Sequence, residues 1–365
     1  MNIIRLGAVL AILAQGPAFS QTWVSPLLGD LGAHDPVLIQ QGNTYHIFYT
    51  GRGLSSKTSP DRLNWKNTGA VLSAMPAWHA SAVPGNTGDL WAPDIHFRDG
   101  KYWLYYSVST FGSNVSAIGL LTSPTLDRQA AGFAWKDEGS VILSTRTNNY
   151  NAIDPNVIVD ENGSPWLAFG SFWTGIKLVK LDPATGKPAA GAEITAIAAR
   201  TSTALGIEAP FIVKRGAYYY LWVSWDVCCQ GVNSTYNIRV GRAAQVNGPY
   251  LDRAGKKMTE GGGTLIDAGD ARWKGPGHNA IFVQGDSSFL VNHAYDANRN
   301  GASTLQIRPL YYDAEGWPTL EKSQAVGVIF SKPARNRRVS SFPWPQRRDG
   351  LGRLNRDGLP MRGAQ

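Results

Sequence analysis

Hydrophobic residues along the chain come in short runs broken by turn residues, and no amphipathic stripe of helical period lasts beyond about three turns. Five segments share one plan: a polar anchor, an apolar run, a turn, then a second strand dense in aromatics. The first runs from His34-Asp35-Pro36-Val37 through Gly42-Asn43 to Tyr45-His46-Ile47-Phe48-Tyr49. Its counterparts start at Asp94, Asp154, Glu208 and His278, so the anchors lie 54 to 70 residues apart. Asp99-Gly100 and Asn162-Gly163 supply the positive φ angles that tight hairpins need.

A unit of this size fits a four-stranded blade, and no such unit buries both of its faces alone. The pattern therefore predicts an all-β fold, a five-bladed β-propeller with a central axial cavity. The content of 40 Gly and 13 Trp agrees with many short strands and tight turns. If the anchors start the innermost strands, Asp35, Asp154 and Glu208 face one another across the axis. Prolines directly follow Asp35 and Asp154 and come two residues after Glu208, which predicts extended backbone before each.

Residues 1–20 read as a secretory leader: a basic start to Arg5, an apolar run Leu6–Leu13 and the small-x-small site Ala18-Phe19-Ser20. The expected product is a secreted or periplasmic protein with no integral membrane association, its propeller spanning 21–332 and a basic tail 333–365. That tail carries eight arginines against two aspartates, so it holds most of the formal net charge of +8. The remaining body is close to neutral, which gives no support to a nucleic-acid partner. The adjacent Cys228 and Cys229 close either a vicinal disulfide, which export favours, or stay a pair of reduced thiols. No spacing makes them catalytic.

Three carboxylates converging on an axis suit glycosidic bond hydrolysis. One carboxylic acid protonates the leaving oxygen while another carboxylate activates water, the two roughly 6.5–9.5 Å apart in inverting enzymes. A third carboxylate near the acid keeps it protonated by like-charge repulsion. Aromatic rings beside the anchors suit a sugar face, although most aromatics in such a fold pack between blades.

Several ordered strings carry a closer likeness: His34-Asp35-Pro36, Leu90-Trp91-Ala92-Pro93-Asp94-Ile95, Ser109-Thr110-Phe111-Gly112-Ser113, Ala152-Ile153-Asp154-Pro155 and Gly170-Ser171-Phe172-Trp173. Ile207-Glu208-Ala209-Pro210, Cys228-Cys229-Gln230-Gly231 and Gly275-Pro276-Gly277-His278 continue the series. Over about residues 25 to 320 the chain resembles the endo-α-1,5-L-arabinanases of glycoside hydrolase family 43. The resemblance implies Asp35 as general base, Glu208 as general acid and Asp154 as the residue that raises the pKa of Glu208 and orients it.

It also implies arabinan as the polysaccharide substrate, with Trp91, Phe111, Asn156, Ser171 and Trp173 as sugar contacts. His278 matches a histidine beside a metal ion, usually calcium, and a monomer is expected. Because calcium prefers oxygen ligands, water would have to complete such a site. An exo-acting arabinanase or another arabinofuranoside- or xylan-active member of the family is the nearest alternative. A non-catalytic carbohydrate-binding propeller is a further one, but it would not need a complete acid, base and tuning set.

Overall fold

The computed structural model describes residues 25–322; the leader 1–20 and the tail 333–365 lie outside them. Five antiparallel blades follow one another in chain order. Blade 1 comprises Val37–Gln41, Thr44–Tyr49, Ser55–Ser59 and Asn64–Ala70. Blade 2 comprises Asp89–Arg98, Lys101–Val108, Ser116–Ser123 and Lys136–Ser144, and blade 3 Asn156–Val159, Pro165–Phe169, Ile176–Lys180 and Thr195–Ala198. Blade 4 is built from Ile207–Arg215, Tyr218–Trp225, Asn237–Ala243 and Thr264–Asp267, and blade 5 from Trp273–Gln284, Ser287–Asp296, Ala302–Tyr312 and Pro318–Thr319. Among the described residues the sole α-helix is Ala77–Ala82.

Middle strands such as Tyr218–Trp225 do not alternate apolar with polar, because neighbouring blades cover both faces of the sheet. Trp103 and Tyr105 of blade 2 thus pack with Leu167 and Phe169 of blade 3. Burying one Leu in such a seam contributes roughly 1.5–3 kcal/mol. The hairpin of blade 2 turns on Asp99 and Gly100, both at positive φ (53° and 75°), as the Asp-Gly pair predicts.

The start of each inner strand carries the same backbone device. Asp35, Ala92, Asp154, Ala209 and His278 all take positive φ, from 46° to 58°. These five are the equivalent positions, so Asp94 and Glu208 are not the counterparts of Asp35 and Asp154. Asp94 falls two residues after its blade's left-handed residue and Glu208 falls one before. The extended backbone expected ahead of the prolines is also corrected, since Asp35 and Asp154 are left-handed. In three blades the register shifts at this point, between Trp91 and Asp94, between Glu208 and Phe211, and between Gly277 and Ala280. Such a bulge bends the strand and holds a residue in the left-handed region.

Each left-handed N–H is captured from a neighbouring blade. Ala92 donates to Thr50 Oγ1 (2.9 Å), Asp154 to Ser107 Oγ (2.9 Å), and His278 to Ser224 Oγ (2.9 Å). Asp35 donates to His293 Nδ1 of blade 5 at 3.1 Å, which ties the first blade to the last. At the equivalent place in blade 3 stands Gly170, which has no side chain to offer, and Ala209 donates instead to Asp154 Oδ2 (3.0 Å). The ring closes further where Ala33 N–H bonds Ser303 and Leu305 N–H bonds Leu31, so residues 31–33 lie along the edge of blade 5.

Candidate active site

Because the device recurs at the axis, the residues around it gather there. One cavity of roughly 1140 Å³ is lined by Asp35, Asp154, Glu208, Trp91, Phe111, Ser171, Trp173 and His278, among others. Of the residues expected from sequence, Asn156 alone does not line it. Its buried amide is consumed between blades, donating to Asp94 Oδ2 (3.3 Å) and accepting the Ile212 N–H (2.7 Å). Asp94 likewise serves the seam of blades 2 and 3, accepting the Val157 N–H at 2.7 Å. A smaller cavity, lined by His46, Arg128 and Trp135, includes none of the three carboxylates.

The carboxylates are all buried, yet their surroundings differ. Burial alone would push Asp35 up, but His34, His278 and His293 hold it well below the usual carboxylate range. Its Oδ1 lies 2.9 Å from His34 Nδ1, 3.2 Å from His278 Nδ1 and 3.6 Å from His293 Nδ1. Burial shifts His278 and His293 down. Burial pulls His34 down too, but the Asp35 charge and hydrogen bond, with Glu208 behind them, raise it overall. His34 is thus the one of the three imidazoles shifted toward its protonated form. Thr50 Oγ1 donates to Asp35 Oδ2 at 2.5 Å while accepting the Ala92 N–H, so one hydroxyl both latches two blades and steadies the carboxylate.

Glu208 is pushed up by burial and by the Asp35 charge, against hydrogen bonds from Ser171 and Tyr236 that pull it down. Those hydroxyls donate to Oε2 and Oε1, each at 2.6 Å. Asp154 is raised by burial, then by Glu208 and Asp35. Repulsion between Asp154 and Glu208 is mutual, so the upward direction belongs to the pair and not to one member. Trp91 and Phe111 line the same cavity with ring centroids 5.1 Å apart; Trp91 is half-buried and Phe111 is 80% exposed. Aromatic faces beside a few converging polar groups are the usual make-up of a small-molecule site.

Tyr236, Thr50, Tyr295 and His293 belong to this site but were not assigned roles from sequence. Tyr236 and Thr50 reach the carboxylates from residues flanking strands, outside any anchor, and nothing in the sequence around them signals it.

Three histidines surround Asp35, and the hydrogen bonds decide which could hold a cation. His293 Nδ1 accepts the Asp35 N–H, so the neutral ring carries its proton on Nε2. His34 has Nδ1 on Asp35 and Nε2 on the Tyr295 hydroxyl (2.9 Å). Although His34, Asp35 and His293 bring ligand atoms within 4.8 Å of one another, His34 Nδ1 already faces Asp35 Oδ1 and His293 Nδ1 is spent on the Asp35 N–H. A lone pair on His278 Nδ1 would oppose the Asp35 carboxylate, so its proton sits there and its Nε2 lone pair is left without a protein hydrogen bond. A ring anchored by a carboxylate with its other nitrogen free is the usual form of a metal-ligating histidine. His278 thus fits a hydrated cation.

A water-accessible cavity with one buried carboxyl group held ionised and a pair pushed toward protonation is the equipment of an acid–base hydrolase. The glycosyl hydrolases family 43 model matches residues 28–318, and the chain belongs to that family. It is 47% identical over 320 residues, 86% of this chain and 94% of the relative, to an extracellular endo-α-(1→5)-L-arabinanase of Bacillus subtilis. It is 42% identical over 306 residues, 81% of this chain and 88% of the relative, to an extracellular exo-α-(1→5)-L-arabinofuranosidase of Cellvibrio japonicus. Among solved structures, an α-L-arabinanase of Cellvibrio cellulosa complexed with arabinohexaose superposes with a TM-score of 0.78 at 41% identity, covering 80% of this chain and 96% of that one.

Proposed function

We propose that the chain cleaves α-1,5-linked arabinofuranosyl bonds inside arabinan with inversion at the anomeric carbon. The observation that carries this is the opposite tuning of Asp35 and Glu208 within one cavity that Trp91 and Phe111 also line. Glu208 donates its proton to the glycosidic oxygen as the C1–O bond breaks. Asp35 takes a proton from the water whose oxygen bonds to C1, and solvent exchange then restores both groups. Asp154 holds Glu208 protonated and, through the Ala209 N–H, fixes the backbone beside it. Trp91, Phe111 and Trp173 offer faces to the sugar rings, and Ser171 is spent on Glu208.

Calcium belongs to the same proposal. His278 Nε2 would hold it with waters completing the oxygen-rich shell that calcium prefers. Its charge would favour the ionised form of Asp35. Dialysis against a chelator is expected to lower the melting temperature and the rate, with calcium restoring both; no change in either removes the metal from the reading.

The leader at residues 1–20 and the extracellular names of the relatives support secretion. Among the described residues no helix is long and apolar enough to cross a membrane.

The test is incubation of residues 21–365 with linear debranched arabinan, following viscosity and products. A rapid fall in viscosity with a ladder of short oligosaccharides is expected. Slow thinning with one fixed small product would favour the exo-acting reading, to which the Cellvibrio japonicus relative lends weight. Binding without cleavage would overturn both.

A further inference from the structure

We propose that Tyr295, braced by the Cys228–Cys229 turn, is a positioning residue that acts through His34 on Asp35. The inference rests on reading Asp35 as the base. Cys228 and Cys229 are joined by a disulfide, and both line the cavity. Cys229 is left-handed (φ 67°), and its N–H meets the Tyr295 hydroxyl at 2.7 Å. A backbone N–H can only donate, so it fixes the direction of everything beyond it. The Ser234 hydroxyl accepts the Gln230 N–H at 3.0 Å and so braces the turn that carries Cys229.

With its oxygen accepting, Tyr295 turns its own proton to His34 Nε2, 2.9 Å away. A neutral His34 then carries its proton on Nδ1, where it faces Asp35 Oδ1 at 2.9 Å. In a doubly protonated ring Nε2 would itself donate to the tyrosine oxygen, so the relay acts in the neutral form of His34. The ring itself is clamped, stacked on His293 with centroids 3.9 Å apart. Two orientations of the imidazole are otherwise open, and only one points a proton at the base. The disulfide ties adjacent residues into a short closed loop, which holds the Cys229 N–H on the tyrosine. A hydroxyl held one hydrogen bond behind the histidine in this way orients a catalytic carboxylate through that ring.

The experiment compares Tyr295→Phe, the Cys228→Ser/Cys229→Ser double variant and their combination with the wild type on debranched arabinan. Melting curves are recorded for each. Tyr295→Phe keeps the ring and loses only the hydroxyl. Its kcat is expected to fall about ten- to hundredfold, the scale of a misplaced reacting group, with KM nearly unchanged. The double-serine variant should lose less, in kcat again, and should add little to Tyr295→Phe, because the two act in one chain. A raised KM with kcat intact would make these residues substrate contacts and sink the relay. A lower melting temperature with kcat unchanged would leave them a structural role only, and fully additive losses would break the link between turn and tyrosine. A wild type that leaves arabinan intact removes the reading of Asp35 itself, whereas an active wild type with an equally active Tyr295→Phe removes only the relay.

Discussion

Two sides of one cavity treat a buried carboxyl group in opposite ways. On the side where the first and last blades meet, Asp35 has a ring of imidazoles and the Thr50 hydroxyl around it and stays ionised. On the side of blades 3 and 4, Asp154 and Glu208 have each other and two hydroxyls, and both are pushed up. Depth of burial does not separate the two sides, since all three residues are buried. What separates them is the partner: imidazoles around Asp35 against a second carboxylate on the other side. Burial raises the stakes of charge, and the neighbour decides the outcome.

The sharpest way to break this comparison is to neutralise each side in turn. Glu208→Gln and Asp35→Asn are each expected to lower turnover on arabinan by about 10²–10⁴-fold without unfolding the protein. The two should part on an aryl glycoside of arabinobiose, whose phenolate leaves without help from an acid. There Glu208→Gln recovers much of its rate while Asp35→Asn does not. Equal rescue of both would erase the distinction between acid and base.

A smaller effect comes from the coupled pair. Glu208 must keep its proton, so activity is lost as pH rises through its pKa. Asp154→Asn retains an acceptor for the Ala209 N–H but removes a negative neighbour, which lowers that pKa. The alkaline limb of the pH–rate profile should move down by about one unit. An unmoved limb would show that Asp154 is already neutral and that burial alone protects the proton.

Tyr236→Phe is the smallest change and has the opposite sign. The hydroxyl donates to Glu208 Oε1 and so favours the carboxylate. Without it the alkaline limb should move up by a fraction of a unit, with only a few-fold change in maximal rate. A downward shift would mean that the tyrosine serves the protonated acid instead.

The blades were legible because each carries its own hairpin signal in a local stretch of sequence. Their register was not, because the equivalent position is set by backbone conformation and is filled by Asp, Ala, Asp, Ala and His. One signal was there to be used: Pro36, Pro93, Pro155 and Pro210 each follow that position directly, with Asn279 in the fifth. Aligning on proline would have shown that Asp94 is an internal seam residue. Asn156, taken for a sugar contact, stands at the place equivalent to Asp94 and does the same work between blades. Tyr236 comes from just before the third strand of Glu208's own blade, and Tyr295 reaches His34 only where the ring closes, so no local pattern records either.

The seam of the ring has a thermal consequence. Asp35 hangs its backbone on His293, and the chain just before it, residues 31–33, runs along the edge of blade 5. Closed sheets can outlast a seam that opens locally. The base is thus mounted on the contact that closes the ring, and opening that contact alone would release it. On heating, hydrolysis should fade several degrees before the far-ultraviolet signal of the sheets, and a covalent staple across 31–33 and 303–305 should bring the two temperatures together.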